Sequence, residues 1–191
     1  MKKIEVRGIC KAYDGRQVLN NVSFTLTEEK PLCLMASSGG GKTTLLRILL
    51  GLEKCDSGEI TAEGVEKWAV VFQENRLLDH LDAKGNLKFV LGSAYDDGKA
   101  EEVLKALGIG SEAEKQVRNY SGGMKRRLAL ARALLAPADA LALDEPFAGL
   151  DEENKSRATA VIRKMAAGKP MIIVTHDADD ASLLGAEILT L

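Results

Sequence analysis

The stretch Leu34–Leu46 reads LMASSGGGKTTLL: an apolar run, three consecutive glycines, a lysine, two threonines and a new apolar stretch. A strand that ends before the glycines and a helix that starts at about Lys42 would wrap this loop around the helix N-terminus. There the backbone N–H groups lack partners and the helix dipole is positive. Gly39, Gly40 and Gly41 let several N–H groups point at one anion, and Lys42 adds a full positive charge. Thr43 offers a hydroxyl oxygen to Mg²⁺. This is the phosphate-binding pattern G-x-x-x-x-G-K-[ST], with one departure: Ala36 stands at the first glycine position. A methyl group there costs about 1 kcal/mol if the backbone needs positive φ, and little otherwise.

A second constellation lies about 100 residues on. Leu141–Ala142–Leu143–Asp144–Glu145 is an apolar strand ending in two carboxylates. Phosphoryl transfer to water needs one acid to hold Mg²⁺ or its waters and a second to orient the attacking water, roles that fit Asp144 and Glu145 in that order. Adjacent strand side chains point to opposite faces, so the chain must turn at Glu145, next to Pro146. A third stretch, Tyr120–Ser121–Gly122–Gly123–Met124, opens a long helix that Ser121 can cap, and it forms a second exposed helix N-terminus. One nucleotide has no use for two such ends in one chain, whereas two chains packed head to tail do.

A phosphate loop alone fits a GTPase, a kinase or a motor. Guanine recognition usually needs N-K-x-D, and Asn154–Lys155–Ser156–Arg157 ends without the aspartate.

The elements that must position these residues alternate. Lys3–Val6 and Val18–Leu26 read as strands joined by a turn at Asp14–Gly15, and 31–36, 58–61, 68–72, 140–143, 171–174 and 187–191 as further strands. Helices are expected over 43–50, 99–107, 121–135, 151–166 and 177–184. Alternating strand and helix predicts an α/β fold with a mostly parallel sheet, interrupted by a mainly helical insertion of about 50 residues.

Composition sets the outer bounds. The 191 residues are 46% hydrophobic and 28% charged, with a net charge of −2, which argues against a large nucleic-acid surface. The three cysteines, Cys10, Cys33 and Cys55, share no metal-like spacing and read as reduced thiols. No apolar run approaches the roughly 20 residues that cross a bilayer, and no secretory signal is expected.

The full set of motifs resembles the ATP-binding cassette (ABC) ATPases over nearly the whole chain. Residues 36–43 match that family's phosphate loop except at Ala36 and Ser37, and Tyr120–Met124 is similar to its LSGGQ signature. Leu141–Glu145 matches its second nucleotide motif, and Ala148–Gly149–Leu150–Asp151 the loop that follows. Val71–Phe72–Gln73–Glu74 matches its glutamine loop and Val174–Thr175–His176–Asp177 its histidine strand end. Tyr13 sits where the family stacks an aromatic ring on adenine.

The resemblance implies a P-loop NTPase core with a small N-terminal antiparallel β subdomain and an inserted α-helical subdomain over about 76–135, all within one nucleotide-binding domain, 1–191. It implies ATP and Mg²⁺ as ligands. Ser38, Gly39, Gly40, Gly41, Lys42, Thr43 and Thr44 would cradle the β- and γ-phosphates, and Thr43, Gln73 and Asp144 would hold the metal. Glu145 is the expected general base, and His176 would hydrogen-bond the γ-phosphate. Ser121, Gly122, Gly123 and Asp151 would complete the site across a head-to-tail dimer.

Transmembrane permease subunits are expected as separate chains, with a solute-binding protein in the same system and no nucleic acid. The protein would be cytoplasmic, peripheral on the inner face of the membrane. Val70–Leu81 and Asp144–Phe147 look most like the nitrate, sulfonate and taurine importer group, and residues 76–81 are the expected docking point for a permease helix. The segment between Glu59 and Val70 reads as trimmed, and no C-terminal regulatory domain is expected. The competing reading is a soluble cassette ATPase. DNA-repair relatives carry long coiled coils between the two nucleotide motifs, and no sustained heptads occur here. Translation-factor relatives usually carry two cassettes per chain. A cassette that binds ATP with little turnover stays open because of Ala36.

Overall fold

A computed structural model describes residues 1–36 and 39–191; Ser37 and the expected phosphate ligand Ser38 lie outside the described residues. The chain divides into two compact units, Met1–Trp68 with Asp139–Leu143 and Gly168–Leu191, and Ala69–Ala138 with Asp144–Ala167.

In the first unit, β1 (Lys3–Tyr13), β2 (Arg16–Thr27) and β4 (Ser57–Glu63) form an antiparallel sheet in the order β2-β1-β4. The β1–β2 hairpin closes at Asp14–Gly15, where φ is 48° and 78°. Two successive positive φ values make the turn whose twist matches its strands. β1 runs well past Val6, where the expected strand ended. Gly8, at φ 61°, breaks the alternation, and the register with β2 shifts between Val6 and Ile9. A bulge of this kind hides the second half of a strand from a period-2 pattern.

The parallel strands of this unit are β3 (Leu32–Met35), β6 (Ala140–Asp144, whose last residue belongs to the second unit), β7 (Met171–Val174) and β8 (Glu187–Thr190). β3 lies between β7 and β8, pairing Leu32 with Ile172 on one side and with Glu187 on the other. β6 and β7 are buried along their whole length, which explains the apolar runs Ala140–Leu143 and Met171–Val174. After β3 and the glycine-rich loop comes α1 (Lys42–Leu49), which buries Leu45, Leu46, Ile48 and Leu49. Each such side chain contributes roughly 2 kcal/mol of burial, so the loop is anchored firmly on its C-terminal side. α6 (Ala178–Leu184) follows β7, capped by Asp177.

Asp139, just before β6, ties distant parts of this unit together. It accepts the backbone N–H groups of Glu66 and Lys67 and the Lys2 ammonium, each at 3.1 Å. The Glu66 N–H bond first, then Lys2 and the Lys67 N–H, pull its carboxyl down to about 2. Its unfolded value is about 3.9. The stabilisation is therefore complete above about pH 4 and is lost as the pH falls through about 2. Urea midpoints of wild type and Asp139→Asn measured from pH 7 to pH 2 are expected to converge at the acid end; a constant difference would contradict this.

The second unit holds β5 (Trp68–Val71, apart from Trp68) and four helices: α2 (Ala83–Leu91), α3 (Asp97–Ala106), α4 (Gly122–Leu135) and α5 (Glu152–Ala166). Their starts are capped by Asp82, Asp96, Ser121 and Asp151, each accepting an N–H from the first turn. Leu87, Leu104, Leu107, Ile109, Val117, Leu128, Leu130 and Ile162 are buried completely. α2 was not among the expected helices, because Gly85 and Asn86 fall in its first turns and disfavour helix. Asn86 is instead 1% exposed, and it bonds the N–H and carbonyl of Leu78 and the carbonyl of Asp82. Its tertiary bonds override its propensity.

Candidate active site

Lys42 opens α1, so the helix N-terminus lies where the loop predicts it. Gly41 is the N-cap at φ 85°, with no side-chain cap bond. Its α-carbon has no room for a methyl group: an added Cβ would lie 2.7 Å from Leu19 Cδ2 and 2.8 Å from the Val18 carbonyl oxygen. Gly39 also takes positive φ, 79°, but into open space. Gly39, Gly40, Gly41, Lys42, Thr43 and Thr44 line a cavity of about 150 Å³ with Val18. The Lys42 ammonium donates to the Ala36 carbonyl at 2.5 Å, closing the loop on itself. The non-glycine residues described at positive φ are Asp14, Asn21, Arg76 and Glu145. Ala36 is not one of them, so its methyl group does not carry the left-handed penalty.

His176 follows β7 and is exposed. The turn that presents it is built by its neighbours. Thr175 is fully buried and donates its hydroxyl to Asp180 at 2.8 Å, and its oxygen accepts the Asp177 N–H at 3.2 Å. Tyr13, at the end of β1, is 43% exposed. Its hydroxyl donates to Glu53, which also accepts from Arg47 at 3.2 Å, and Lys11 lies 5.4 Å from its ring centre.

In the second unit, Gln73, Ser121, Gly122, Gly123 and Asp151 line one cavity of about 540 Å³. Residues far apart in sequence thus meet. Ser121 uses its hydroxyl to accept the Met124 N–H at 3.2 Å. Gly123 approaches the following loop closely, since a Cβ there would lie 2.9 Å from the Gly149 carbonyl oxygen. Asp151 caps α5 through the Asn154 N–H at 2.8 Å, and this bond chiefly holds its carboxyl below the usual range.

Asp144 is buried at the end of β6, and Glu145 is half-buried at φ 49°. The backbone therefore turns at Glu145 into the left-handed region, at a cost of roughly 1–3 kcal/mol for a residue with a side chain. Such strain collects where a side chain must be aimed off the line of its strand.

Three arginines of α4 escaped the sequence reading. Arg126 is 2% exposed and Arg127 8%. Arg127 donates to the carbonyls of Leu107 and Gly108 and to Asn154 Oδ1 at 2.7 Å. Arg132 donates to the carbonyls of Asn75 and Arg76. Burial lowers the pKa of all three. The only sequence signal was their place among leucines and alanines in a helix otherwise made for burial. Among the described residues no cluster of three or more His, Cys, Asp or Glu side chains is placed to hold a metal. Thr43, Gln73 and Asp144 offer a hydroxyl, an amide and a carboxylate oxygen, the hard donors that Mg²⁺ takes.

Comparison with known proteins fits this chemistry. Residues 19–148 match the family model described as ABC transporter. The chain is 38% identical to the aliphatic sulfonates import ATP-binding protein SsuB 3 of Nocardia farcinica, covering 98% of this chain and 76% of that one. It is 36% identical to the SsuB protein of Delftia acidovorans, over 98% and 79%. It is 35% identical to the spermidine/putrescine import ATP-binding protein PotA of Spiroplasma citri, over 98% and 58%. Among solved structures, a bacterial Atm1-family ABC exporter with ATP bound has the same fold, with a TM-score of 0.85 at 20% identity. The alignment covers 99% of this chain and 36% of the exporter chain.

Proposed function

Because the chain belongs to the ABC transporter family and is an ATP-binding, ATP-hydrolysing subunit of it, we propose that it drives solute import through separate membrane subunits. The supporting observation is its 35–38% identity, over 98% of its length, to proteins named for sulfonate import. No helix among the described residues is long and apolar enough to cross a membrane, so this reading assigns the pathway to permease partners. A solute-binding protein would deliver the solute, and selection would reside in those partners rather than in the ATP site. The chain would work as one nucleotide-binding domain at the cytoplasmic face, docking a permease helix on residues 76–81.

In this mechanism the loop N–H groups and Lys42 bind the β- and γ-phosphates, and Tyr13 stacks on adenine. Thr43, Gln73 and Asp144 would hold Mg²⁺, which would supply positive charge to offset the negative charge on the phosphate oxygens. Glu145 takes a proton from the attacking water, and His176 holds the γ-phosphate. Ser121, Gly122, Gly123 and Asp151 of a second copy complete the site, so that two ATP molecules close two copies together and hydrolysis lets them part. That cycle is the stroke passed to the permease.

Affinity purification of the tagged chain from detergent-extracted membranes tests the transport reading. A multi-spanning hydrophobic subunit is the expected partner; recovery of nucleic acid without such a subunit would contradict it. Loss of the adenine platform in Tyr13→Ala is expected to raise KM for ATP by about tenfold at little cost in kcat, from the ~1–3 kcal/mol that base stacking on an aromatic contributes. An unchanged KM in steady-state assays would remove Tyr13 from the site.

A further inference from the structure

Arg126 is the most extensively bonded side chain of α4. Its Nη1 donates to the carbonyl of Phe72 at 2.6 Å, to the carbonyl of Gln73 at 3.4 Å and to Asn75 Oδ1 at 3.2 Å. Its Nε and Nη2 donate to the Glu145 carbonyl at 3.0 and 2.7 Å, and Nη2 also donates to the Asp144 carbonyl. One guanidinium thus holds two separate backbone segments: the loop that carries Gln73, and the turn at which Glu145 adopts φ 49°. Arg132 bonds only the first of these, through the carbonyls of Asn75 and Arg76. The rigid planar fork of arginine, with five N–H donors, suits this bridge. A lysine has a single nitrogen and cannot reach both sides in the same way.

The helix that carries Arg126 begins at Gly122, capped by Ser121, so the guanidinium lies little more than one turn from the exposed N-terminus. We propose that Arg126 is a positioning residue for ATP hydrolysis: it fixes the backbones of Gln73 and Glu145 to α4. A nucleotide engaged at the start of α4 then bears on the aim of this copy's own carboxylate. The inference rests on the roles proposed for Gln73, Glu145 and the Ser121–Gly123 end. The role assigned to Arg126 is to hold these backbone segments through its bonds to their carbonyls, not to take part in the proton or phosphoryl transfer. Burial opposes its charge while the carboxylates of Asp144 and Glu145 favour it, so the bridge also keeps a cation beside both acids.

The test compares wild type, Arg126→Gln, Arg126→Lys and Glu145→Gln as full chains, by thermal unfolding, fluorescent ATP-analogue binding and steady-state turnover. Both Arg126 variants are expected to bind the analogue within threefold of wild type. In Arg126→Gln kcat should fall 30- to 100-fold, and in Arg126→Lys it should stay at least tenfold down despite the retained charge. A structural role alone would lower the melting temperature and the binding together. If Arg126→Gln does not fold, the lysine variant decides. The inference is overturned if the folded Arg126→Gln, or failing that Arg126→Lys, turns over within twofold of wild type while Glu145→Gln is inactive. An active Glu145→Gln would instead overturn the underlying assignment of the base, and this inference with it.

Discussion

Glu145→Gln is expected to lower ATP turnover by about 10²- to 10⁴-fold, the range for loss of a positioned general base, while ATP binding stays within a fewfold of wild type. Glutamine has the same size and the same backbone preferences, so the turn at φ 49° is no harder to form. The Arg126 bonds go to the carbonyl oxygens of Asp144 and Glu145 rather than to the carboxylate, so they survive the change. What the change removes is the carboxylate, the proton acceptor, together with its negative charge beside Arg126. That loss corresponds to about 2.7–5.5 kcal/mol in the barrier, more than any packing change at a half-buried side chain would explain. Steady-state assays combined with analogue binding make the check. Turnover within threefold of wild type would assign the base elsewhere.

Gly41→Ala is expected to be the most damaging single methyl group in the phosphate loop. Two costs coincide. At φ 85° a side chain enters the left-handed region, at about 1–2 kcal/mol. The new Cβ would also lie 2.8 Å from the Val18 carbonyl oxygen and 2.7 Å from Leu19, which is only 1% exposed. A backbone oxygen cannot step aside, and overpacking of this kind costs about 1–3 kcal/mol. The sum, about 2–5 kcal/mol, should appear as a lower urea midpoint, with ATP affinity reduced at least tenfold because the helix N-terminus shifts. Gly39→Ala is the control. It shares the positive φ, 79°, but meets nothing within 4 Å, so only the backbone cost of about 1–2 kcal/mol remains. Equal losses in the two variants would show that the clash at Gly41 is relieved by movement of its neighbours.

The parts of the fold that were legible beforehand are those written in contiguous residues. The start of α1 at Lys42, the cap at Ser121 and the apolar run of β6 each follow from a few adjacent positions. The chain's turn at Glu145 was expected because one carboxylate of an adjacent pair must leave its strand face, and its φ of 49° agrees. The relatives named for sulfonate import agree with the importer group to which 70–81 and 144–147 were compared.

The features that stayed hidden depend on residues far apart. Asn86 makes α2 possible through bonds to Leu78, eight residues back. Tyr13 is held by Glu53, forty residues on. An arginine on a helix ordinarily reads as part of a solvated face. Nothing in Lys125–Arg126–Arg127 says that the carbonyls of Phe72, Gln73, Asp144 and Glu145 surround the second of them. The gathering of Gln73, Ser121, Gly122, Gly123 and Asp151 around one cavity likewise needed the tertiary fold of the second unit.

ATP is expected to close two copies of this chain around two nucleotides. Sedimentation equilibrium of Glu145→Gln, with and without Mg²⁺-ATP, reads this closure, because slow hydrolysis should trap the closed state. The expected result is a 20.5 kDa monomer without nucleotide and a species of twice that mass with it, carrying one ATP per chain. A protein saturated with ATP that remains monomeric at micromolar concentrations would contradict the claim.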